Sequence, residues 1–417
     1  MSLKVGFKNF NEALNSVVLF LIFFGRLYGP LYENDVVFQI IIALSSVGLM
    51  FRFKAFMSQP KGYKIWAIGF LILYIISSLW AVDATRTYTN FVATAGRFIV
   101  LFYIFSCMTG IEEIKRVIKI FFYAVLANGV FILIVFGPGS LIAARMNEVN
   151  SEAGNSNVIG MSSASAIILD EFVVRENSAK TRMCRLPLYC LLGILVLLAG
   201  SKKAIFMLIF VFGLMYVLSH RNKIATVIVV GISVIIIYRA LMVVPILYEI
   251  VGNRIESLLE GFLSMLSLGN VSVSNLMNTS LNSSDRARMT LILYGFEWFK
   301  QKPIWGYGMA NFITLYEKVA LKGLYAHNNY IEIAVGLGVI GLVWYYALYL
   351  RILKQSLKNI KNSREGRIAF TIVLLCILLD VGLVSYLEIS VQFLLSVAFL
   401  LSHYSIAAQK VNTTHQI

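Results

Sequence analysis

The sequence predicts an all-α, polytopic membrane bundle of about twelve spans. Three observations predict it. Of 417 residues, 59% are hydrophobic and only 14% charged, against about 45–50% and about 25% in soluble domains. Mean hydropathy is +0.79. Apolar windows of spanning length recur along the chain, and a helix needs about 20 apolar residues to cross a bilayer. A soluble chain of this size could not hide so much apolar surface. A cytosolic enzyme, a secreted disulfide scaffold and a disordered chain are thereby excluded. The expected organisation is one integral-membrane domain over 1–417 rather than two or three soluble domains.

The windows fall at 13–32, 35–51, 65–82, 91–109, 119–136, 157–174, 186–200, 203–218, 224–243, 329–350, 368–386 and 390–408. Lys4 and Lys8 precede the first without a small-residue cleavage site, so it reads as a retained span. Flanking charges order the rest. Arg52, Lys54, Lys61 and Lys64 separate the second and third windows. Lys115, Arg116 and Lys119 precede the fifth. Arg175, Lys180, Arg182 and Arg185 follow the sixth, and Arg221 and Lys223 the eighth. Arg351, Lys354, Lys358, Lys361, Arg364 and Arg367 follow the tenth, and Lys410 ends the series. With Lys4 and Lys8 these cations share one side. The short loops opposite hold only Arg86, Arg145, Lys202 and Lys203. The positive-inside rule therefore predicts both termini in the cytoplasm.

Residues 244–328 break the hairpin rhythm as one long outward region. A Ser/Asn-rich stretch from Ser272 to Ser284 leads into residues 287–300, which fit an amphipathic helix at the membrane surface, apolar side in lipid, Arg288 and Lys300 wet. Long loops of this kind are usually functional. Cys107, Cys184, Cys190 and Cys376 lie in or near apolar windows and read as buried free thiols. Gly336, Gly338 and Gly341 spell a dinucleotide-type spacing inside an apolar span, where close helix packing is the better reading. Gly306-Tyr307-Gly308 reads as a tight turn bringing backbone near a ligand.

The densest run of unusual residues extends from Asp285 to Glu332. Arg286 and Arg288 precede the amphipathic helix. Pro303, Gly306, Gly308 and Asn311 follow it. His327-Asn328 then opens a span carrying Gly338, Gly341 and Leu342. This order resembles the O-antigen polymerase/ligase family of bacterial membrane enzymes, which polymerise or transfer lipid-linked glycans. Upstream, Gly200-Ser201-Lys202-Lys203-Ala204 resembles the family's Gly-Ser-Arg step with Lys in place of Arg, a point charge instead of a fork. Arg145 followed by Asn157 resembles its Arg…Asn loop.

The resemblance implies a GT-C-like helical fold at the outer face of the bacterial inner membrane. It implies inverting transfer of a glycan from undecaprenyl pyrophosphate to an acceptor hydroxyl. The implied partners are that lipid-linked glycan, an acceptor glycolipid, membrane lipids and a chain-length regulator, with no nucleic acid. The His-Asn-Asn-Tyr-Ile-Glu run and the Gly-Ser-Lys-Lys step look more like a polymerase of O-antigen or capsule than a ligase to lipid A core.

The residues suit that chemistry. The leaving pyrophosphate is anionic, and without a metal its charge falls to cations, for which Arg145, Lys202, Arg286 and Arg288 are the candidates. His327 is the outward histidine and the candidate base; its bland alternative is a helix-capping histidine. Asn328 would orient or bind polar groups, and Glu332 would orient the acceptor or start the helix. Arg97, mid-span, would reach the pyrophosphate or make a structural ion pair, with Asp170, Glu171 and Asp380 as possible partners. No cofactor or catalytic metal is expected. Outward arginines also simply meet lipid headgroups. A flippase for lipid-linked sugars is the reading from another class, although the one long loop breaks the two-fold repeat common in transporters.

Overall fold

The computed structural model describes residues 2–27, 35–146, 155–175, 179–220, 222–243 and 283–414. Among these residues every regular element is helical. In chain order they are α1 (Ser2–Leu27), α2 (Asp35–Phe51), α3 (Phe53–Ser58), α4 (Lys61–Ile76), α5 (Ala84–Ser106), α6 (Ile111–Val135), α7 (Gly137–Met146) and α8 (Ser156–Leu169). There follow α9 (Ala179–Leu198), α10 (Lys202–Ser219), α11 (Lys223–Val243), α12 (Ser283–Gln301), α13 (Phe312–Ala320), α14 (Asn329–Asn359), α15 (Arg364–Leu379) and α16 (Ile389–Thr414). The all-α polytopic membrane class is as expected from sequence. Each apolar window overlaps one of these helices, the part of the first beyond Leu27 lying outside the described residues. Among the described residues, seven helices are long and apolar enough to cross a membrane, and Asn11–Gly25, Asp35–Phe51 and Met183–Leu198 are shorter apolar segments. Of the long loop, 244–282 lies outside the described residues.

Helix α8 sits at the centre. Residues Ser156–Val174 are 83% buried, whereas Lys202–Ser219 is 22% buried and peripheral. The sequence explains the contrast: α8 carries glycine, serine and alanine where α10 carries large aliphatics. Small side chains let helices approach closely without needing a hydrophobic driving force. Gly160 faces the Cβ atoms of Ser201, Ala199 and Ala204. The same core continues through α14, α15 and α16, which pack on one another, with α4 against α14 and α2 against α5.

The bundle has two distinct ends. At one, Arg52 donates to the Ser106 carbonyl, Gln59 to Phe105, and Lys64 to the Phe56 and Met57 carbonyls that end α3. At the other, Asp83 caps α5 and its amide donates to Asn311 Oδ1 at 2.7 Å. The Met309 amide donates to Ser77 Oγ, and the Thr87 hydroxyl donates to the Met309 carbonyl. The 303–311 turn is therefore pinned to the α4–α5 connection at the end where α14 begins.

Three expectations need correction. The window 65–82 gives way to a 3₁₀ turn at Ser77–Leu79. The window 368–386 stops at Leu379. There the Asp380 carbonyl, which another helical turn would need, accepts the Asn329 amide at 2.8 Å instead. Cys184 and Cys190 are exposed on α9, while Cys107 and Cys376 are buried; all four are free. A span's lipid-facing side is apolar too, so hydropathy could not separate the two pairs.

Helix α14 is broken at Gly338, whose φ of 65° and ψ of −158° lie in a region essentially reserved for glycine. The 303–308 turn enters the break. Tyr307 and Gly308 amides donate to the Val335 and Gly336 carbonyls at 2.8 and 2.9 Å, and the Val339 amide donates to Pro303 at 2.8 Å. Those α14 carbonyls are lost to their own helix only because a loop satisfies them. A Cβ on Gly306 or Gly338 would collide with the opposing backbone. The glycine spacing in the span therefore serves a loop-to-helix contact, not helix packing, and the Gly306–Gly308 turn approaches backbone.

Helix α12 forms as expected, but its apolar side covers protein. Leu291 and Trp298 pack with Phe312, Tyr316, Ile331 and Val335. Arg288 and Lys300 remain exposed.

Candidate functional site

His327 occupies the turn between α13 and α14 with φ of 52°. Left-handed backbone is uncommon for a residue with a Cβ and persists where its surroundings impose it. Four contacts do so here. The Ala326 amide donates to Glu332 Oε2 at 3.1 Å. Asn328 caps α14, its Oδ1 accepting from the Ile331 amide at 3.0 Å, while its Nδ2 donates to the Val381 carbonyl at 3.1 Å. The Asn329 amide donates to the Asp380 carbonyl.

Behind this turn lies a buried polar layer. Asp380 Oδ2 accepts from the Tyr346 hydroxyl at 2.9 Å and Asn329 Nδ2 at 3.3 Å. Tyr330 stacks on Tyr346 at 4.7 Å and donates to the Ile377 carbonyl. Gln392 donates to the Tyr345 hydroxyl and the Ser385 carbonyl. Asn329, Asp380, Ser385 and Gln392 are fully buried. Asn329 Oδ1, Asp380 Oδ1 and Gln392 Oε1 are buried there without a hydrogen-bond partner, so the layer is only partly satisfied.

The imidazole lies 3.8 Å from the Tyr325 ring, centroid to centroid. Burial, then the Arg288 guanidinium, then the Lys203 ammonium push the His327 pKa down to about 4. Each cause penalises a third positive charge in a half-buried place. His327 is therefore neutral at physiological pH, and two elements remote in sequence, α12 and α10, bring their cations to it. Lys203 also lies against the turn after α15, its Cε 3.5 Å from where a Gly382 Cβ would stand. The charges of Arg288, Glu388 and Glu332 all reach the Tyr325 hydroxyl.

Of the predicted set, the charge of Arg288 reaches His327; the second cation that does so is Lys203, not the expected Lys202. The two upstream motifs also meet, since the Ser201 hydroxyl donates to Asn157 Oδ1 at 3.1 Å. Gly200, with φ of 54°, turns the chain into α10 there. Lys202 opens α10 beside Lys203 and is partly buried. Arg145 and Arg286 fall on α7 and α12, but their side chains lie outside the described residues. Asn328 spends both ends of its amide on protein. Glu332 is 3% exposed and holds the Ala326 amide, so it faces the His327 turn rather than solvent. Arg97 sits deeper on α5, 5.8 Å above the Phe38 ring. Its charge and that of Glu332 both reach the hydroxyls of Tyr74 and Tyr386. Asp170 and Glu171 are ion-paired to Arg185 and Arg175 at the opposite end.

The turn Asp380–Glu388 was not foreseen as part of the site. The available signal was its polar composition: Asp380, Gly382 and Ser385 within a window otherwise read as one span, and Glu388 just beyond it.

Comparison with known proteins agrees with the family resemblance read from the motifs. Residues 187–346 match the family model described as O-antigen ligase. A Rickettsia conorii protein carrying a provisional polysaccharide-ligase name is 26% identical over 208 residues, covering 46% of this chain and 49% of the relative. A Rickettsia felis protein of like name is 25% identical over 235 residues, covering 50% and 56%. The chain spans about half the length of these curated relatives.

Proposed function

Since residues 187–346 carry an O-antigen ligase family match, we propose that the chain transfers a glycan from undecaprenyl pyrophosphate to an acceptor hydroxyl. The transfer is inverting and metal-independent, and takes place at the outer face of the inner membrane with both termini in the cytoplasm. The observation that carries this reading is the half-buried His327 in a left-handed turn, at the end of the bundle opposite the basic loops, where the charges of Arg288 and Lys203 reach it. His327 accepts the acceptor's proton as its oxygen attacks the anomeric carbon. The bond from that carbon to the pyrophosphate breaks, and Arg288 and Lys203 meet the charge that develops on the leaving oxygen. Lys202, Arg145 and Arg286 extend the anion-binding set from neighbouring elements.

A base with a pKa near 4 is weak; burial is the larger cause, and the two cations that add to it are the proposed pyrophosphate ligands. Binding the anion offsets the cations' share and raises His327, while the share due to burial remains. The base is thus neutral before substrate arrives and stronger once it is bound.

Two acceptors fit. The motif order favours a second lipid-linked repeat unit, hence polymerisation, on which a chain-length regulator would act; the family description and the relatives' names favour ligation, for which the acceptor would be lipid A core. Purified protein with lipid-linked repeat units, with and without core, separates them. A ladder without core identifies a polymerase, and product only with core a ligase. No product in either, with labelled lipid crossing vesicles, would replace the proposal with a flippase.

A further inference from the structure

At the end of the bundle remote from His327, a cavity of about 110 Å³ opens where α6 and α15 begin. Its floor is a π-helical turn, Asp170–Val174, closed by the Arg175 amide donating to the Asp170 carbonyl at 2.8 Å. Single π turns inside helices are rare and recur at functional sites. Two ion pairs fix this one: Asp170 with Arg185, and Glu171 with Arg175. The buried Asp170 also accepts from the Tyr189 hydroxyl.

Three cations line the cavity: Lys115, Arg175 and Arg364. The Arg364 guanidinium donates to the Glu171 and Arg175 carbonyls at 3.4 Å. Backbone oxygens orient it without neutralising it. Lys115 reaches Glu112, a carboxylate 79% exposed to solvent, and such surface pairs are weak and readily exchanged. The one lining carboxylate, Glu365, accepts from the Ser363 hydroxyl. The other six lining residues are apolar, Ile111, Phe172 and Ile368 among them.

We propose that this cavity holds the phosphate of an anionic phospholipid from the adjoining leaflet. Lys115, Arg175 and Arg364 contact the phosphate, and the glycerol and upper acyl carbons lie on Ile111, Phe172 and Ile368. Basic pockets between membrane helices bind lipid headgroups in this way. The apolar majority of the lining distinguishes a lipid from a free anion, which would gain nothing from it. The inference rests on the membrane-spanning fold and not on glycan transfer, so its test is independent of that reading.

Binding is measured by native mass spectrometry of the delipidated full-length protein in detergent. The probes are phosphatidylglycerol, phosphatidylcholine with the same acyl chains, and inorganic phosphate. Phosphatidylglycerol is expected to bind at least tenfold more tightly than phosphatidylcholine, and phosphate to compete only weakly. Lys115→Gln, a partly exposed change, is expected to weaken phosphatidylglycerol several-fold. Arg364→Gln is expected to weaken it tenfold or more, and Arg364→Lys to restore most of the loss. Equal binding of the two lipids overturns the proposal, as does an unaltered affinity in both Gln variants. Full competition by inorganic phosphate at equal concentration replaces the lipid with an anion site.

Discussion

Replacing Gly338 with alanine tests the joint between the 303–308 turn and α14 on which the site is mounted. An alanine there must hold φ of 65° and ψ of −158°, at a cost of about 1–3 kcal/mol. Its Cβ would also meet the Ile304 and Pro303 carbonyls, which are backbone and cannot rotate away. The turn has to withdraw, losing three amide–carbonyl bonds to and from Val335, Gly336 and Val339. At about 0.5–1.5 kcal/mol each, these bring the total to about 3–7 kcal/mol, comparable with the whole stability of many proteins. Gly193→Ala is the matched control, because that helical glycine has no neighbour within 4 Å of its would-be Cβ. It should be neutral or stabilising by roughly 0.5–1 kcal/mol. Thermal unfolding of both variants in detergent provides the comparison. Gly338→Ala melting alongside wild type would refute the broken-helix account, because neither strain nor displacement would then be present.

Four other predictions concern the site directly. With His327 lowered to about 4 from an ordinary 6.5, the unfolded chain binds more protons than the folded one between those values. Stability therefore falls as pH drops through that window, and His327→Gln should flatten the fall in pH-dependent melting. In transfer kinetics the acid limb of kcat/KM should lie near pH 4, and that of kcat should lie higher, because pyrophosphate offsets Arg288 and Lys203 in the bound complex. Asn328→Ala removes the α14 cap and the tie to Val381, and should cost about 1–3 kcal/mol in melting experiments. Glu332→Ala leaves the Ala326 amide unpaired in a buried place and should lower kcat with little change in donor KM, whereas Glu332→Gln keeps an acceptor oxygen and should recover most of the rate.

Much of the architecture was legible because it is written in hydropathy. Every apolar window overlaps a helix among the described residues, and the charges of Arg288 and Lys203, on elements remote in sequence, both reach the outward histidine. The missed features depend on contacts between distant residues. The helix ending at Leu379 cannot be seen in a window that stays apolar through Leu383 and Val384, since what stops it is the Asn329 amide. The break at Gly338 looked like helix packing because sequence shows that small residues are needed and not which backbone approaches. Glu332 was readable as an acidic residue in a first turn, but not as the group that holds the His327 turn from behind. The resemblance pointed to His327, Asn328 and Glu332 without distinguishing residues that fix the chain, as Asn328 and Glu332 do here, from any that would face a substrate.

The central claim is that His327 removes the acceptor's proton between two pyrophosphate-binding cations. The most direct measurement is single-turnover glycan transfer in proteoliposomes by wild type and His327→Ala, with donor binding followed in parallel. The account predicts a rate loss of about 10²–10⁴-fold with donor affinity unchanged or improved, since a neutral histidine contributes nothing to holding the anion. Wild-type turnover by His327→Ala would contradict it.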